Sequence, residues 1–435
     1  MYPFLPLPSL YAHYNLMWEV LKSDRTPGLA ASVGQDDRIL TCQLFGRCTA
    51  SPRISQEDGR HSAGWSLYKA AMNFMGDIMD CFEGCKSQIR VLQALELIVL
   101  VIAYKNEQVI YLFRLDMIGK AESFLALAVS HAYSLNLHTA HPAGCNSNQE
   151  REMCRQARWC LYLLDRRLAI ESRRPFLIQD ANITTPLPQI MPNDISQCDE
   201  IMTSCEESSN TSSQVVDSVT FFYHNDHYSK IIGRTWERIY SPNGFNGSHI
   251  EMKNHLEALV SQAQTNIPSQ FAYDLNPIKG PCINYEGTSW WLVKQQTLMQ
   301  VRWLSLRLMI HTSMLKSLGS GYTDKIANFE NEVISMTLSS KLIELFLQIS
   351  EQKDIFTFPF FHYLITAAII SLGLLIKESA FKLKYGSVTL RAIQLLKSLY
   401  SHLGLWQNDP ECLKTWTDAF LSLKTRRCGL STALE

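Results

Sequence analysis

The residues best suited to chemistry lie on a segment with helical periodicity that starts at Cys154 and ends in a proline-containing loop at Pro188. Arg158, Tyr162 and Asp165 fall at positions i, i+4 and i+7, so two opposite charges bracket an aromatic ring on one helix face. Such a pair can belong to an active site, but opposite charges in an apolar helix more often form a structural clamp. We therefore predict a clamp and no catalytic residues.

The carboxylate of Asp165 has an apolar sequence context and needs a cation to stay ionised. The candidates are Arg158, Arg166 and Arg174. Pro175 stops the helix and turns the chain, which can bring Arg174 back along the helix, whereas Arg166 points about 100° away from its neighbour. Arg174 is therefore the predicted partner of Asp165, in a clamp that joins the helix to the following loop.

A second amphipathic helix is predicted over residues 118–135, where apolar and small residues recur at spacings of three and four. Its small face, which includes Ala128, lets a partner helix approach closely, and we expect the helices at 118–135 and 149–172 to pack against one at 91–104. Asn136 lies just after this helix. It suits that position, because asparagine tolerates the left-handed conformation that a helix end requires. His138 lies just past this end and is interpreted as a structural residue rather than a metal ligand.

Both blocks resemble the fungal-specific transcription factor domain, the middle homology region of zinc-cluster regulators. The block at 154–188 resembles the family pattern R-x-FW-x-LY-x-LDR, then GRP, then a D-x-D/N-I…P-L-P tail, with matches at Trp159, Leu161, Tyr162, Leu164, Asp165, Arg166, Arg174, Pro175, Asp180, Ile183, Pro186 and Pro188. The upstream block resembles G-x-A-x-R-x-A-x-x-L-G-L-H, with matches at Gly119, Ala121, Ala128, Leu135, Leu137 and His138, and with Asn136 in place of the family's glycine. Further along, His311 and Leu315 fit the family's L-H-R-P-x-L pattern, while Thr312 and Ser313 replace its Arg-Pro.

The resemblance covers residues 60–190 and implies a transcription regulator of the nucleus, whose domain restrains or licenses activation. It implies that other transcription factors or coregulators are the partners of the chain. A small-molecule effector and a homo- or heterodimer are also compatible with the resemblance. Control of a fungal gene cluster is a corresponding expectation. The resemblance implies that the signature residues are structural and that the domain holds no cofactor.

Cysteine spacing and net charge bear on DNA binding. The chain has 12 cysteines, none of which form a C-x2-C pair, so the paired units of the family's zinc cluster are missing from this sequence. The net charge is −1 and the pI is about 6.9, which gives no global reason to bind nucleic acid. We therefore expect no direct nucleic-acid contact, no metal site and reduced cysteines in an intracellular protein.

Helical periodicity dominates the 435 residues, and sustained strand alternation is missing, so the predicted class is all-α, as a large multi-helix bundle or an irregular helical solenoid. The predicted organisation is a loop-rich segment at 1–60, the domain core at 61–194, an acidic, serine-rich flexible loop at 195–217, and a C-terminal helical part of the same domain at 218–435. Helices are expected at 66–83, 88–106, 108–136, 149–172, 218–240, 249–264, 290–318, 328–352, 359–381, 387–403 and 410–425. Residues 355–376 carry no charge, but Pro359 and several polar residues favour a buried helix over a membrane span.

Two other classes remain as alternatives. An all-helical enzyme of the terpene synthase type is suggested by Asn225, Asp226 and Ser229, which begin like the Mg²⁺-binding motif N-D-x-x-S-x-x-x-E. The position that requires glutamate is Gly233, and the companion D-D-x-x-D is missing. A helical interaction scaffold without regulatory output is the second alternative, and the sequence does not separate it from a regulatory domain.

Overall fold

The computed structural model describes residues 38–43, 71–73, 75–76, 88–109, 115–142, 147–172, 174–188, 211–240, 248–265, 267, 290–315, 322–351 and 362–402. Their helices are α1 (Gln88–Val109), α2 (Leu115–Ser134), α3 (Asn148–Ser172), α4 (Thr211–Tyr240), α5 (His249–Thr265), α6 (Trp290–Met314), α7 (Tyr322–Glu351), α8 (His362–Lys377) and α9 (Phe381–His402), with a 3₁₀ turn at Asp180–Asn182. Residues 38–43 and 71–73 are also helical. No strand occurs within these ranges, which confirms the all-α prediction.

Two helices begin with the same local device. Ser147 precedes α3, and its hydroxyl accepts a hydrogen bond from the Glu150 amide, while the Glu150 carboxylate accepts one from the Ser147 amide. Ser248 and Glu251 make the same reciprocal pair at the start of α5. Each capping box satisfies amide groups that the first helical turn leaves without a partner, which explains why both helices begin within one residue of their predicted starts.

Several helix boundaries differ from the sequence prediction. Helix α4 begins at Thr211, inside the segment 195–217 that was predicted to be a flexible loop. Serine and threonine cost a helix only a few tenths of a kcal/mol relative to good helix formers, about 0.5 kcal/mol each, so a polar composition does not prevent a helical start. The predicted helix 359–381 is also shorter, because α8 ends at Lys377 and α9 begins at Phe381. The predicted helix at 410–425 and most of the one at 66–83 lie outside the described residues.

The chain divides into two compact units. The first comprises Met1–Ser55, Ser62–Asn246 and Leu259–Pro268, and the second comprises Gln56–His61, Gly247–Ala258 and Ser269–Glu435. Helix α4, which the sequence analysis grouped with the C-terminal part, belongs to the first unit and packs against α3. The boundary between the units falls within α5.

The core of the first unit is formed where α1, α2 and α3 pack against one another. Ala121 and Ala128 of α2 are 0% exposed and Ala132 is 2% exposed, so the small face predicted for this helix is the face that is buried. The same core contains Leu92 and Leu95 of α1. Short side chains allow two helix backbones to approach closely, and the predicted packing of these three helices is confirmed.

In the second unit, α7 packs against α6, α8 and α9. Within the part of the chain that is described, one helical stretch, Lys325–Ser350 of α7, is long and apolar enough to cross a bilayer, and 67% of its apolar window is buried inside the protein. Helix α8, which holds much of the uncharged stretch 355–376, has 16 residues. The apolar surface of α7 is therefore largely covered by its neighbouring helices.

Candidate functional site

The candidate site is a cluster that we call the signature clamp, formed by Trp159, Tyr162, Asp165 and Arg166 of α3 together with the loop 174–188. It exists because the chain reverses when α3 ends at Ser172. The amide of Arg174 donates to the carbonyl of Ala169 (2.9 Å), which closes the helix end and sends the loop back along α3.

Asp165 fastens the returning loop to the helix. Its Oδ1 accepts the amide of Leu177 (3.0 Å) and its Oδ2 accepts the amide of Ile178 (3.0 Å). Oδ2 also accepts a hydrogen bond from a guanidinium nitrogen of Arg166 at 2.8 Å. The carboxylate is 1% exposed, and burial raises its pKa, while Arg166 and the two amides oppose this rise. Asp165 is thus a buried structural carboxylate with partners on both oxygens.

Arg166 is held between two aromatic rings. Its guanidinium lies 4.3 Å from the ring centroid of Tyr162 and 4.0 Å from that of Phe176, so the helix supplies one ring and the loop supplies the other. The second guanidinium nitrogen donates to the carbonyl of Ile178 (2.9 Å) and to the carboxylate of Asp180. Tyr162 donates its hydroxyl proton to the same Asp180 oxygen (2.9 Å). Arg166 therefore binds both sides of the clamp.

The predicted pairing of Asp165 with Arg174 is wrong. Arg174 is exposed and pairs with Glu122 of α2, and the adjacent Arg166 neutralises Asp165. Helical spacing alone places the side chains of Asp165 and Arg166 about 100° apart around the helix. An arginine side chain is long enough to bend back to its neighbour's carboxylate, and the loop amides draw both groups to the same place.

Trp159 and Pro188 fix the far end of the loop. The indole nitrogen of Trp159 donates to the carbonyl of Pro186 (2.9 Å), and its ring packs edge-on against Tyr162 with centroids 5.3 Å apart. The carbonyl of Pro188 accepts the hydroxyl of Tyr223 from α4. The far end of the loop is therefore bonded to both α3 and α4.

The end of α2 also contacts this loop. Asn136 has φ = 55°, as predicted, and the amides of Asn136 and Leu137 bond the carbonyls of Tyr133 and Ala132 (both 3.0 Å), which closes the helix. The carbonyl of His138 accepts the amide of Thr184 (2.9 Å). The His138 ring lies 5.0 Å from that of Tyr133, consistent with the packing role predicted for it.

Two other signature residues have no bond in the clamp. Gly119 has open space around the position of a Cβ, so close packing does not explain its glycine. Pro175 is exposed and acts through the chain reversal alone.

The sequence model of the fungal specific transcription factor domain matches residues 48–259. This range contains α1 to α4, the clamp and most of α5. Residues 48–259 form a fungal specific transcription factor domain. Neither a curated protein nor a solved structure gives a significant match to the chain. The domain is of a regulatory type that belongs to transcription factors, which generally act in the nucleus.

Within this fungal transcription factor domain, Gly233 has a packing role that was not among the sequence predictions. A Cβ added to this α4 residue would lie 3.0 Å from Nε of Arg166 and 3.8 Å from the ring of Phe176. Glycine is costly in a helix interior, so a glycine within a periodic segment signals close packing, and that signal was available in the sequence. Gly233 allows α4 to lie against the guanidinium.

Asp226 and Lys230 extend the cluster along α4. Asp226 is 1% exposed and pairs with Lys230 (2.8 Å), whose ammonium lies 4.4 Å above the Trp159 ring. Burial raises the pKa of Asp226 to about 6, although Lys230 opposes this. Asn225 and Ser229 are buried beside it. The three residues that resemble the start of a Mg²⁺-binding motif are therefore packed inside the protein, and the carboxylate among them pairs with a lysine.

The chemistry available to the clamp is that of binding and orientation. The polar groups of Asp165, Arg166 and Tyr162 are committed to the loop. Among the residues that the structure describes, no group of three or more His, Cys, Asp or Glu side chains is placed to hold a metal ion. The arrangement serves to fix the loop onto α3.

Proposed function

We propose that this chain regulates transcription by responding to a bound effector or partner, without contacting DNA through its own residues. Its proposed location is the nucleus, with other transcription factors or coregulators as partners and the genes of a fungal cluster as targets. The observation that carries the proposal is the match to a fungal specific transcription factor domain whose signature residues are occupied in fixing a loop. Such a body needs no catalysis, because occupancy of a surface or an interior site can shift it between silent and active states.

Two buried ionisable side chains support a small-molecule effector as the signal. Arg158 of α3 is 1% exposed, and its three guanidinium nitrogens make no hydrogen bond of normal geometry with the residues that the structure describes. Tyr133 is its aromatic neighbour, with the ring centroid 5.6 Å from the guanidinium carbon. Burial lowers the pKa of Arg158, and Tyr133 and Asp165 oppose the change. A buried guanidinium whose hydrogen-bonding neighbour is a neutral tyrosine hydroxyl is incompletely neutralised, so an anionic group of an effector would gain by binding there.

Glu96 of α1 is the second such residue. It is 0% exposed, its carboxylate oxygens make no hydrogen bond within the part of the chain that the structure describes, and burial raises its pKa well above the usual value. A carboxyl group held neutral in this way can donate a hydrogen bond to a bound molecule. The interior of the first unit therefore offers an anchoring cation and a hydrogen-bond donor at separate positions.

The effector proposal is tested by thermal unfolding of the full chain in acetate, succinate or phosphate against chloride at equal ionic strength. We expect at least one of these anions to raise the Tm in a concentration-dependent manner, because a ligand that binds only the folded state stabilises it. Arg158→Met removes the cation and should abolish the shift. Arg155→Met, on the same helix at a partly exposed position, should retain it. Equal Tm values in all salts, or a shift that survives in Arg158→Met, would contradict an effector site at Arg158.

The regulatory proposal is tested by tethering the full chain to a heterologous DNA-binding domain in a fungal reporter strain. We expect reporter output to change relative to the DNA-binding domain alone. An unchanged reporter would favour the helical scaffold. The purified chain should show no sequence-specific DNA binding and no stoichiometric zinc, and two zinc ions per chain by elemental analysis would contradict the proposed mode of action.

A further inference from the structure

The open side of α9 carries an apolar seam. Leu383 is 97% exposed, and Leu390 follows on the same face at i+7, where it is partly exposed. Phe381 and Tyr385 lie on the other side of the helix and are buried in a cluster with residues of α7 and α8. Helix α9 therefore has one apolar face that packs within the second unit and a second, narrower one that faces outward.

A glycine lies between the two leucines of this seam. Gly386 is at i+3 from Leu383, and no described atom beyond the backbone of its own helix lies within 4 Å of the position of a Cβ. Glycine destabilises a helix interior relative to alanine, so packing among the described residues does not explain its presence. A missing side chain at this point allows the backbone of another helix to approach closely. We call Leu383, Gly386 and Leu390 the α9 seam.

The charged side chains of α9 all have the same sign. The helix contains no acidic residue, and it contains the cations Lys382, Lys384, Arg391 and Lys397. Lys384 and Arg391 are exposed, and each directly follows a leucine of the α9 seam. Charges that flank an apolar seam select the partner when two helices pair. The α9 seam is therefore complementary to a helix with acidic residues beside its own apolar stripe.

Lys384 is available to such a partner. Its ammonium lies 5.0 Å from the ring centroid of Tyr385, and it forms no ion pair with the residues that the structure describes. Two nearby carboxylates have other partners. Glu378, in the turn before α9, accepts the amide of Ala380 (3.3 Å), and Glu332 of α7 pairs with Lys377 at the end of α8.

We propose that the α9 seam binds an acidic amphipathic helix of another protein chain. Apolar side chains of that helix cover the two leucines, its backbone approaches at Gly386, and its carboxylates lie beside Lys384 and Arg391. A lipid surface fits less well, because the wide apolar face of α9 is already buried and a narrow seam offers little area for insertion. Nucleic acid would use the cations but leave the leucines uncovered. This partner class deepens the proposed function and rests on it.

The test measures binding of two fluorescent synthetic peptides to the full chain by anisotropy. The acidic peptide has about three heptads, with leucine at positions a and d and glutamate at positions e and g, and the basic peptide has lysine in place of glutamate. We expect the acidic peptide to bind, more weakly as salt is added, and the basic peptide not to bind. Binding of neither peptide, or equal binding of both, would overturn the proposal.

Three variants locate the binding. Leu383→Ser alters a side chain that is almost wholly exposed, so it should fold as the wild type does and lower the affinity about tenfold. Lys384→Glu should lower the affinity for the acidic peptide about fivefold and raise that for the basic peptide. Ile250→Ser, which removes a 48% exposed apolar side chain from α5, is the matched control and should bind as the wild type does. Unchanged binding in Leu383→Ser would place the peptide elsewhere and contradict the α9 seam.

Two further probes test the other occupants. Vesicles of phosphatidylcholine and phosphatidylserine, and a short DNA duplex, should not bind in a way that depends on Leu383. Loss of either interaction in Leu383→Ser would assign the α9 seam to that ligand and overturn the proposal. The reporter assay of the proposed function uses neither peptide. A changed reporter without peptide binding would therefore reject the α9 seam alone, whereas peptide binding with an unchanged reporter would reject the regulatory function alone.

Discussion

Gly233 of α4 lies directly against the guanidinium of Arg166 on α3, so closely that a methyl group there would require the arginine to shift by a few tenths of an ångström. The guanidinium cannot easily give way, because Tyr162 and Phe176 hold its two faces and its two terminal nitrogens are bonded to Asp165, Ile178 and Asp180. The absence of a side chain at one position in α4 thus determines how closely this helix approaches the clamp.

The first prediction concerns Gly233→Ala. At a helix position with open space around it, a Gly→Ala change raises the free energy of unfolding by about 1 kcal/mol. Overpacking of a side chain against a neighbour lowers it by about 1–3 kcal/mol, so we expect a net loss of about 1 kcal/mol. Chemical denaturation of the full chain provides the measurement. Gly373→Ala on α8 is the matched control, since open space surrounds its Cβ position, and it should stabilise. Equal gains at both sites would show that the Arg166 side chain moves freely.

The second prediction separates the true partner of Asp165 from the one expected by spacing. Asp165→Ala leaves Arg166 and the amides of Leu177 and Ile178 without their acceptor, which should cost about 3–5 kcal/mol of unfolding free energy. Arg174→Ala removes an ion pair in which the arginine is exposed and Glu122 is 14% exposed, so it should cost about 1 kcal/mol, well below the loss in Asp165→Ala. Denaturation curves of the two variants decide the point. A large loss in Arg174→Ala would mean that the loop is held mainly from its exposed side.

The third prediction concerns the pH dependence that Asp226 contributes. Because its pKa rises to about 6 in the folded state, the folded chain keeps a proton that the unfolded chain loses near pH 4. This contribution therefore falls by up to about 3 kcal/mol as the pH rises from about 4 to about 6. Asp226→Asn should remove this slope in unfolding measurements across that range, whereas Glu237→Asn, exposed on the same helix, should leave it. An unchanged slope in Asp226→Asn would show that the carboxylate stays ionised throughout.

The fourth prediction tests the closure of α2. Asn136 is left-handed, so Asn136→Ala should cost about 1 kcal/mol, whereas Asn136→Gly should be neutral or stabilising by a few tenths of a kcal/mol, roughly 0.5. The order of the two Tm values is the measurement. The opposite order would mean that the asparagine side chain, rather than its backbone conformation, is what the helix end requires.

Much of the fold follows from local rules that can be applied to the sequence. The starts of α3 and α5 follow from capping boxes, and the end of α2 follows from an asparagine that tolerates positive φ. The packing of α2 follows from its alanine face, because small side chains at helical spacing admit a neighbouring helix. These features depend on residues within one or two turns of each other.

The partner of Asp165 could not be predicted in the same way. It depends on where the loop amides of Leu177 and Ile178 come to rest, which is decided by tertiary packing. The contact between Gly233 and Arg166 likewise joins two helices that are separated in sequence by the acidic segment. Helical spacing fixes the direction of a side chain at its Cα atom, but it does not fix the endpoint of a long arginine.

The contact of His138 and Leu137 with the loop after α3 has a consequence for how the domain opens. The carbonyls of these two residues accept hydrogen bonds from Thr184 and Thr185, so the chain before α3 is tied to the chain after it. The segment before α3 cannot separate from the segment after it without breaking these hydrogen bonds. The bonds therefore close a loop of the chain that contains α3. Amide exchange at Leu177, Ile178 and Thr184 should therefore report one shared opening event, with similar free energies, rather than independent fraying of a surface loop.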